Sequence, residues 1–523
     1  MNAAVAAALA AARSGLLVPP PPTRWPRVLD ALRAGPRGIG SLVRLSAARH
    51  PDRVAIVDDE GTLTYRELLA EVDAAAAALH YGAGVDASAT VGIMCRNSRR
   101  FVVALLASTT LGADVVLLNT DFRDRALAAS LEGHDISLVI CDAEFDAIVG
   151  AVPATRTASA GVRDRWRRAP SSPREGRLIL LTSGTTGTPR GVPRDPDVRT
   201  VLGMTASVIL RTGARTGMRT MASVPFFHAF GLAGLLITLG LGGTLLTCAR
   251  FDPVAALERA TVHEADALLV VPVMLSRILD VVPESSQTYM PRIVLSGGSA
   301  LLPSVAERFT DRFGDHLYNG YGSSEVALAT LATPADLRRS PGTVGRAVAG
   351  ATVAILGDDG AAVTPGSTGR IHVGGAPAVG TYTSGQRKGE VAGLIATGDK
   401  GFMDRDGLVH VTGREDDMIV SGGENVYPRA LENVLAGHPD IVDSCAVGVP
   451  DEQYGQRLAA LIVADAGLLS ESDLRSHLKD SLSRFEQPRD IHFVTAVPRN
   501  AAGKVDRRAT TALLVQLARE TAS

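Results

Sequence analysis

The chain has 523 residues, 46% of them hydrophobic and 21% charged. That is the balance of an ordinary globular protein, and it is too long for one compact core, so at least two domains are expected. Fifty-three Lys and Arg against 55 Asp and Glu leave a net charge of -2, which gives no electrostatic reason for a nucleic-acid partner. Cys95, Cys141, Cys248 and Cys445 lie scattered without CxxC spacing; this argues against a metal cage or disulfide framework and fits a reducing, cytoplasmic setting.

Residues 1–18 are rich in Ala and Leu, but Arg13 interrupts them and no basic segment precedes them. The run is too short to span a membrane and poorly built for a signal peptide, and Pro19 to Pro22 end any helix there. Residues 1–40 are therefore expected to be a frayed helical extension, with a peripheral lipid-surface or partner contact as the alternative. No other stretch is apolar for long enough to span a membrane.

From about residue 40, strands and helices alternate. Residues 53–57 suit a strand and 58–61 its turn, and Thr64 with Glu67 makes a capping box. The helix that follows places Leu68, Leu69, Val72, Ala76 and Leu79 at helical spacing and is expected to stop at Gly82. Apolar runs at 91–94 and 114–118 flank a helical pattern over 101–111, which makes a βαβ unit and a largely parallel sheet. The alternation returns at 178–181, 220–224, 267–271 and 293–295. Residues 150–177, with seven arginines and no periodicity, read as a solvated connection. After residue 374 short strands and turns take over, with Asp406-Gly407 as a hairpin turn. A compact β/α stretch of about 110 residues ends the chain. The expected division is an extension over 1–40, a large domain over 41–412 and a small one over 413–523.

Residues 182–191, Thr-Ser-Gly-Thr-Thr-Gly-Thr-Pro-Arg-Gly, follow a buried strand. Glycines and hydroxyls in such a loop can bring N–H and O–H donors close to phosphate oxygens. The loop is neither a Walker loop, since no Gly-Lys-Ser/Thr follows, nor a Rossmann fingerprint, since the glycine spacing is wrong. A zinc-protease helix is excluded too, because His263-Glu264 lacks a second His four residues on.

The loop resembles the phosphate-binding signature of the adenylate-forming superfamily of acyl-CoA synthetases, nonribosomal-peptide adenylation domains and firefly luciferase. Further motifs appear in that superfamily's order from about residue 40 to 510: LTYREL at 63–68, FVVALLASTTLGADVVLLNT at 101–120, PFFHAFGL at 225–232, SGGSAL at 296–301 and YNGYGSSE at 318–325. TGD at 397–399, GREDD at 413–417, SGGENVYP at 421–428 and PRNAAGKVDRR at 498–508 complete the set. One match alone would be weak, whereas this many in order is specific.

The resemblance implies an α/β fold, with a large multi-sheet N-terminal adenylation domain and a small mobile C-terminal α+β domain. It implies ATP, Mg²⁺ and coenzyme A as the molecules handled, with Thr182, Ser183, Gly184, Thr185, Thr186, Gly187 and Arg190 around the phosphates. Gly320, Tyr321, Gly322, Ser323 and Ser324 would border the nucleotide, with Tyr321 against adenine, and Asp399 and Arg414 would hold the ribose. Glu325, with Thr185, would ligate magnesium, as a hard carboxylate suits that ion. His228 and Phe230, with Gly297, Gly298 and Ser299, would border the acyl group, and Lys504 would meet the reacting carboxylate and α-phosphate. Ser421, Gly422 and Gly423 would line the thiol's path, and Asp416 would be the hinge.

Two positions depart from the pattern. Arg190 stands where most relatives have Lys, and its planar fork is not equivalent to an ammonium. Ser324 replaces the usual Thr and keeps the hydroxyl. Residues 421–428 and 447–452 look most like fatty-acyl-CoA synthetases. The expected reaction is therefore activation of a medium- to long-chain fatty acid to acyl-AMP, followed by transfer to coenzyme A. Delivery to a carrier-protein phosphopantetheine and a non-catalytic nucleotide- or acyl-binding relative are the alternatives.

Overall fold

The computed structural model describes residues 2–522 except 34–37, 123, 153–156, 160–162, 165–167, 171, 173, 183–189, 195–197, 284–287, 376–377, 416, 422–423, 452–454, 465–468, 483–485 and 501–502. Among the described residues the strands form three sheets. In the first, Leu138–Cys141, Thr90–Met94, Asp114–Leu117 and Leu178–Thr182 run parallel in that order, and Arg190–Arg194 closes one edge antiparallel. Asp114–Leu117 and Leu138–Cys141 are buried at every position, as expected for strands covered by helices on both faces.

The second and largest sheet starts at an edge hairpin, Gly61–Thr64 antiparallel to Val54–Asp58, and continues from Val54–Asp58 through Thr244–Leu246, Arg219–Ala222, Ala267–Val270, Ile293–Gly297 and Leu317–Ser323, each of these pairs parallel. It then turns antiparallel through Ala327–Ala332, Thr343–Ala347, Val409–Arg414, Leu394–Met403, Gly369–Gly375 and Ala351–Leu356. One continuous apolar cluster joins this sheet to the first, with Phe101, Leu105, Val115, Phe226 and Leu269 among its members. The third sheet, built on Ile441–Asp451 and Gly455–Ala464, belongs to the C-terminal region. Its two apolar clusters draw on no described residue before Ile419. The molecule is thus the α/β protein expected, a large multi-sheet part followed by a smaller one.

Local chemistry explains the element ends. Thr64 and Glu67 form the capping box reciprocally at the start of Tyr65–Ala83. That helix runs past Gly82 and stops at Gly84, which takes φ 73°; the turn to a left-handed residue comes there, not at the first glycine. The start of the first domain is locked by Arg99, whose guanidinium grips the buried Asp58 at 2.6 and 3.0 Å.

Two expectations need correction. The helix Ala3–Ser14 is docked, not frayed: Ala6 and Ala10 are buried, and Thr216 N–H donates to the Ser14 carbonyl at 2.8 Å. Gly203, in the helix Val198–Thr212 against which it packs, permits that closeness, since a Cβ there would stand 2.9 Å from the Ala3 Cβ. The arginine-rich connection is not simply solvated either, because Arg174 and Arg177 both hold the buried Asp114 and Arg163 pairs with Glu71. Among the described residues no helix is long and apolar enough to cross a membrane.

Candidate active site

The strands Leu178–Thr182 and Arg190–Arg194 pair antiparallel, with Thr182 opposite Arg190. This pins both ends of the expected phosphate loop. Ser183, Gly184, Thr185, Thr186 and Gly187 lie outside the described residues, as does the Thr182 side chain. Arg190 places its guanidinium 5.6 Å from the centre of the Tyr382 ring. Arg194, further along the strand, donates to the Ser324 carbonyl. Burial pushes its pKa down to about 10, opposed by Glu325.

Ile293–Gly297 and Leu317–Ser323 run side by side with Gly297 opposite Gly320. A Cβ on Gly297 would meet the Gly320 carbonyl oxygen at 3.3 Å and the Phe230 ring at 3.5 Å, and Gly298 takes φ 84°. Backbone and one aromatic ring therefore make this wall, with the half-buried Ser299 at its end. Gly322 sits at a bulge where a Cβ would fall 1.7 Å from the Ala327 carbonyl oxygen, so no side chain fits.

Beyond the bulge the strand delivers its polar residues to one place. The Tyr321 hydroxyl donates to Asp399 Oδ2 at 2.6 Å, and Arg414 Nη1 donates to Oδ1 at 3.1 Å. Burial, then the Asp399 charge, pushes the Tyr321 phenol well above its ordinary range. Glu325 is almost fully buried, in the turn after this strand and not at a helix start. Ser323 Oγ donates to its Oε2 at 2.7 Å, Tyr382 OH donates to Oε1 at 2.8 Å, and Lys388 Nζ stands 3.5 Å from Oε1. Burial raises the Glu325 pKa, yet Lys388, Ser323 and Tyr382 together bring it below the ordinary value. A lone hard carboxylate suits Mg²⁺ that takes its other ligands from phosphate and water. No cluster of three His, Cys, Asp or Glu able to hold a resident ion occurs among the described residues.

His228 caps the helix Ala229–Gly240 without a side-chain bond. Its Nε2 is buried and has no partner, and its ring stands 4.5 Å from that of Phe227. Burial, then the charge of Lys504, drives its pKa down to about 3, so the ring is neutral at any working pH. Lys504 arrives from the other end of the chain, in a loop closed by the Arg499–Val505 bridge. Its N–H donates to Asn500 Oδ1 at 3.0 Å, and the Asn500 N–H donates to its carbonyl at 2.8 Å. Gly503 takes φ 71° and lies so close to the large domain that a Cβ would sit 2.6 Å from Val273. Lys504 keeps an exposed surface, yet the protein packed around its ammonium, then Arg414, lowers its pKa, while Glu325 and Asp399 oppose them. The ammonium is therefore within electrostatic reach of the Asp399, Arg414, Glu325 and His228 groups. Beside it a cavity of about 320 Å³ opens between Phe227, Cys248, Val273, Arg277, Asn500 and Gly503.

Of the expected thiol path, Ser421 pairs with Glu424 across a hairpin whose tip, Gly422 and Gly423, lies outside the described residues. Asp416 lies outside them too. Three groups escaped the sequence reading: Arg194, Tyr382 and Lys388. Tyr382 and Lys388 belong to an aperiodic segment, and no local pattern marks them.

A profile described as AMP-binding enzyme matches residues 43–383, and one described as AMP-binding enzyme C-terminal domain matches residues 430–504. The chain is 28% identical to a sulfoacetate–CoA ligase of Cupriavidus necator, over 92% of this chain and 97% of that protein. It is 29% identical to an oxalate–CoA ligase of Arabidopsis thaliana, over 90% and 97%. Among solved structures, the o-succinylbenzoate CoA synthetase of Bacillus subtilis, bound to its acyl-adenylate intermediate, superposes with a TM-score of 0.79 at 25% identity, covering 90% of this chain and 97% of that one. The chain belongs to the AMP-binding enzyme family, as an AMP-forming acid–thiol ligase that works with ATP, Mg²⁺ and coenzyme A.

Proposed function

We propose that this enzyme joins a carboxylic acid to AMP at the site around Lys504, releasing pyrophosphate, and then passes the acyl group to the thiol of coenzyme A. The observation that carries this reading is the arrival of Lys504 within reach of Glu325, Asp399, Arg414 and His228, four groups from distant parts of the chain. A carboxylate attacking the α-phosphate brings two anions together, so a fixed cation there lowers the barrier. Lys504 neutralises that charge. Asp399, oriented by Tyr321 and Arg414, accepts from the ribose hydroxyls. Neutral His228 borders the reacting carboxylate without adding charge. Magnesium, when bound with ATP, neutralises the triphosphate, and Glu325 supplies its protein ligand. Thr185 and Thr186 hold the β,γ-phosphates, and the Ser421–Gly423 hairpin lines the thiol's path after the small domain has turned about Asp416.

For the acid, the wall of Gly297, Gly298 and Phe230 with neutral His228 favours an uncharged aliphatic chain of medium to long length. The relatives point elsewhere, being named for sulfoacetate, oxalate and o-succinylbenzoate. That supports a second reading, a small or aromatic acid with a second anionic group. Pyrophosphate release measured across octanoate, palmitate, malonate, sulfoacetate and o-succinylbenzoate separates the two. With the aliphatic reading, kcat/KM climbs several-fold per added carbon until the pocket fills, each buried methylene contributing about 0.8 kcal/mol. A preference for any of the doubly charged acids overturns it. No release with any acid would overturn the ligase reading itself. Free coenzyme A compared with a holo carrier protein as acceptor tests the thiol.

A further inference from the structure

Residues 378–391 form a strap laid across the nucleotide side of the site. Val379 N–H donates to the Glu325 carbonyl at 2.7 Å, Thr383 N–H to the Gly191 carbonyl at 2.9 Å, and Ala396 N–H to the Gly389 carbonyl at 2.8 Å. The Lys388 N–H closes the strap on the Gly380 carbonyl at 2.9 Å. The strap is thus tied to the magnesium-side turn, to the end of the phosphate hairpin and to the strand that carries Asp399. These ties fix where the Lys388 ammonium stands: 3.5 Å from Glu325 Oε1 and 3.3 Å from the Thr397 carbonyl oxygen.

A buried carboxylate without a countercharge is costly, and Glu325 is only 7% exposed. Ser323 and Tyr382 bring hydroxyls to it but no charge. The Arg194 guanidinium donates to the Ser324 carbonyl and also feels the Glu325 charge. Lys388 stands at ion-pair distance from the carboxylate itself. Yet a divalent ion needs that same carboxylate, and an ammonium and Mg²⁺ cannot share one oxygen without repulsion.

We propose that Lys388 is a stand-in cation that makes divalent-metal binding at Glu325 conditional on the nucleotide. Without ATP, the ammonium holds the carboxylate and opposes a bare metal ion. When the metal arrives on a polyphosphate, the added negative charge draws the flexible lysine stem away, and the ammonium turns from Glu325 to the phosphate oxygens. The exchange rests on the reading of Glu325 as the magnesium carboxylate. Its consequence is a site that takes the metal–nucleotide complex as one unit and stays closed to free divalent ions.

The test is Mn²⁺ binding to the full-length protein, followed by electron paramagnetic resonance, with and without a non-hydrolysable ATP analogue. Lys388→Met keeps the stem and removes the charge. It should bind Mn²⁺ without nucleotide about 10-fold more tightly than wild type, because the competing charge is gone, and the Mn²⁺–analogue complex about 10-fold more weakly, because the phosphates lose the ammonium. Lys388→Arg should stay close to wild type on both counts. The gain should vanish in Lys388→Met/Glu325→Gln. Unchanged metal affinity overturns the proposal, even if nucleotide affinity falls, and so does a gain that survives loss of Glu325. If Glu325→Gln alone releases pyrophosphate at the wild-type rate, the assignment of Glu325 fails, whatever Lys388 does.

Discussion

Glu415 and Asp417 are two residues apart and are held by opposite parts of the molecule. Arg370, in the large sheet, donates to Glu415 at 2.9 Å, and the Glu415 N–H donates to the Gly398 carbonyl at 2.8 Å. Asp417 instead pairs at 3.0 Å with Arg507, the first residue of the last helix, which packs on the C-terminal sheet. We propose residue 416, which lies between these two anchors in the sequence, as the point about which the small domain turns against the large one.

Asp416→Pro should therefore trap one orientation, because the ring fixes φ near −65°. Acid-dependent pyrophosphate release and conversion of supplied acyl-AMP to acyl-CoA, measured separately, should fall unequally, one being retained far better than the other. Equal loss of both in a folded protein would remove Asp416 from the hinge role.

The Asp58–Arg99 pair predicts a large stability effect. Asp58 accepts from both the backbone N–H and the guanidinium of Arg99 inside the first domain. Asp58→Ala leaves the arginine buried without a countercharge, a loss of about 3–5 kcal/mol. Urea unfolding should show the midpoint fall accordingly; a change under 1 kcal/mol would mean that the neighbourhood hydrates the freed guanidinium.

Two histidines make the fold sensitive to acid. Burial, then Arg53, Arg49 and Arg24, lowers the His50 pKa to about 4, and His228 sits at about 3. Both rings stay neutral in the folded chain, while the unfolded chain takes up protons below about 6.5. The unfolded state thus binds more protons as pH falls from about 6.5 towards 4, and stability declines across that window. His50→Gln should flatten the dependence of the urea midpoint between pH 7 and 5. An unchanged slope would show that His50 is hydrated in solution.

How far the sequence carried depended on whether the cause was local. The Thr64–Glu67 box and the Asp406-Gly407 turn are set by neighbouring residues and formed as expected. Tyr321, Asp399, Arg414, Glu325 and Lys504 could be nominated because each sits in a motif, and the structure joins Tyr321 and Arg414 to Asp399 by hydrogen bonds. Lys388 could not, since its place comes from a strap tied to Gly191 and Glu325, far off in the chain. The same holds for Arg174 and Arg177: their partner Asp114 lies 60 residues or more upstream, so a charge-rich run looked solvated. The docking of Ala3–Ser14 was hidden because alanine carries little hydropathy signal, while its small size lets two helices approach closely.

Lys504 gives the most discriminating measurement, because it separates the two chemical steps. In this structure its ammonium lies where Arg414 lowers its pKa and where Glu325 and Asp399 favour its charge. That balance is what the proposed role, beside the reacting carboxylate and α-phosphate, requires. Its loop is held by its own hydrogen bonds to Asn500 and by the close fit of Gly503 on Val273. Truncating the side chain should therefore leave the loop in place. Lys504→Ala should slow acyl-AMP formation by roughly 10²-fold or more, the loss typical of one preorganised contact to a transition state. Turning of the small domain about Asp416 would carry the residue away before the thiol attacks. Conversion of supplied acyl-AMP and coenzyme A should then stay within several-fold of wild type. Gly423→Leu, in the expected thiol path, should do the reverse, sparing pyrophosphate release and blocking thioester formation. Unchanged acid-dependent pyrophosphate release in Lys504→Ala would remove both the catalytic assignment and the rotation it implies.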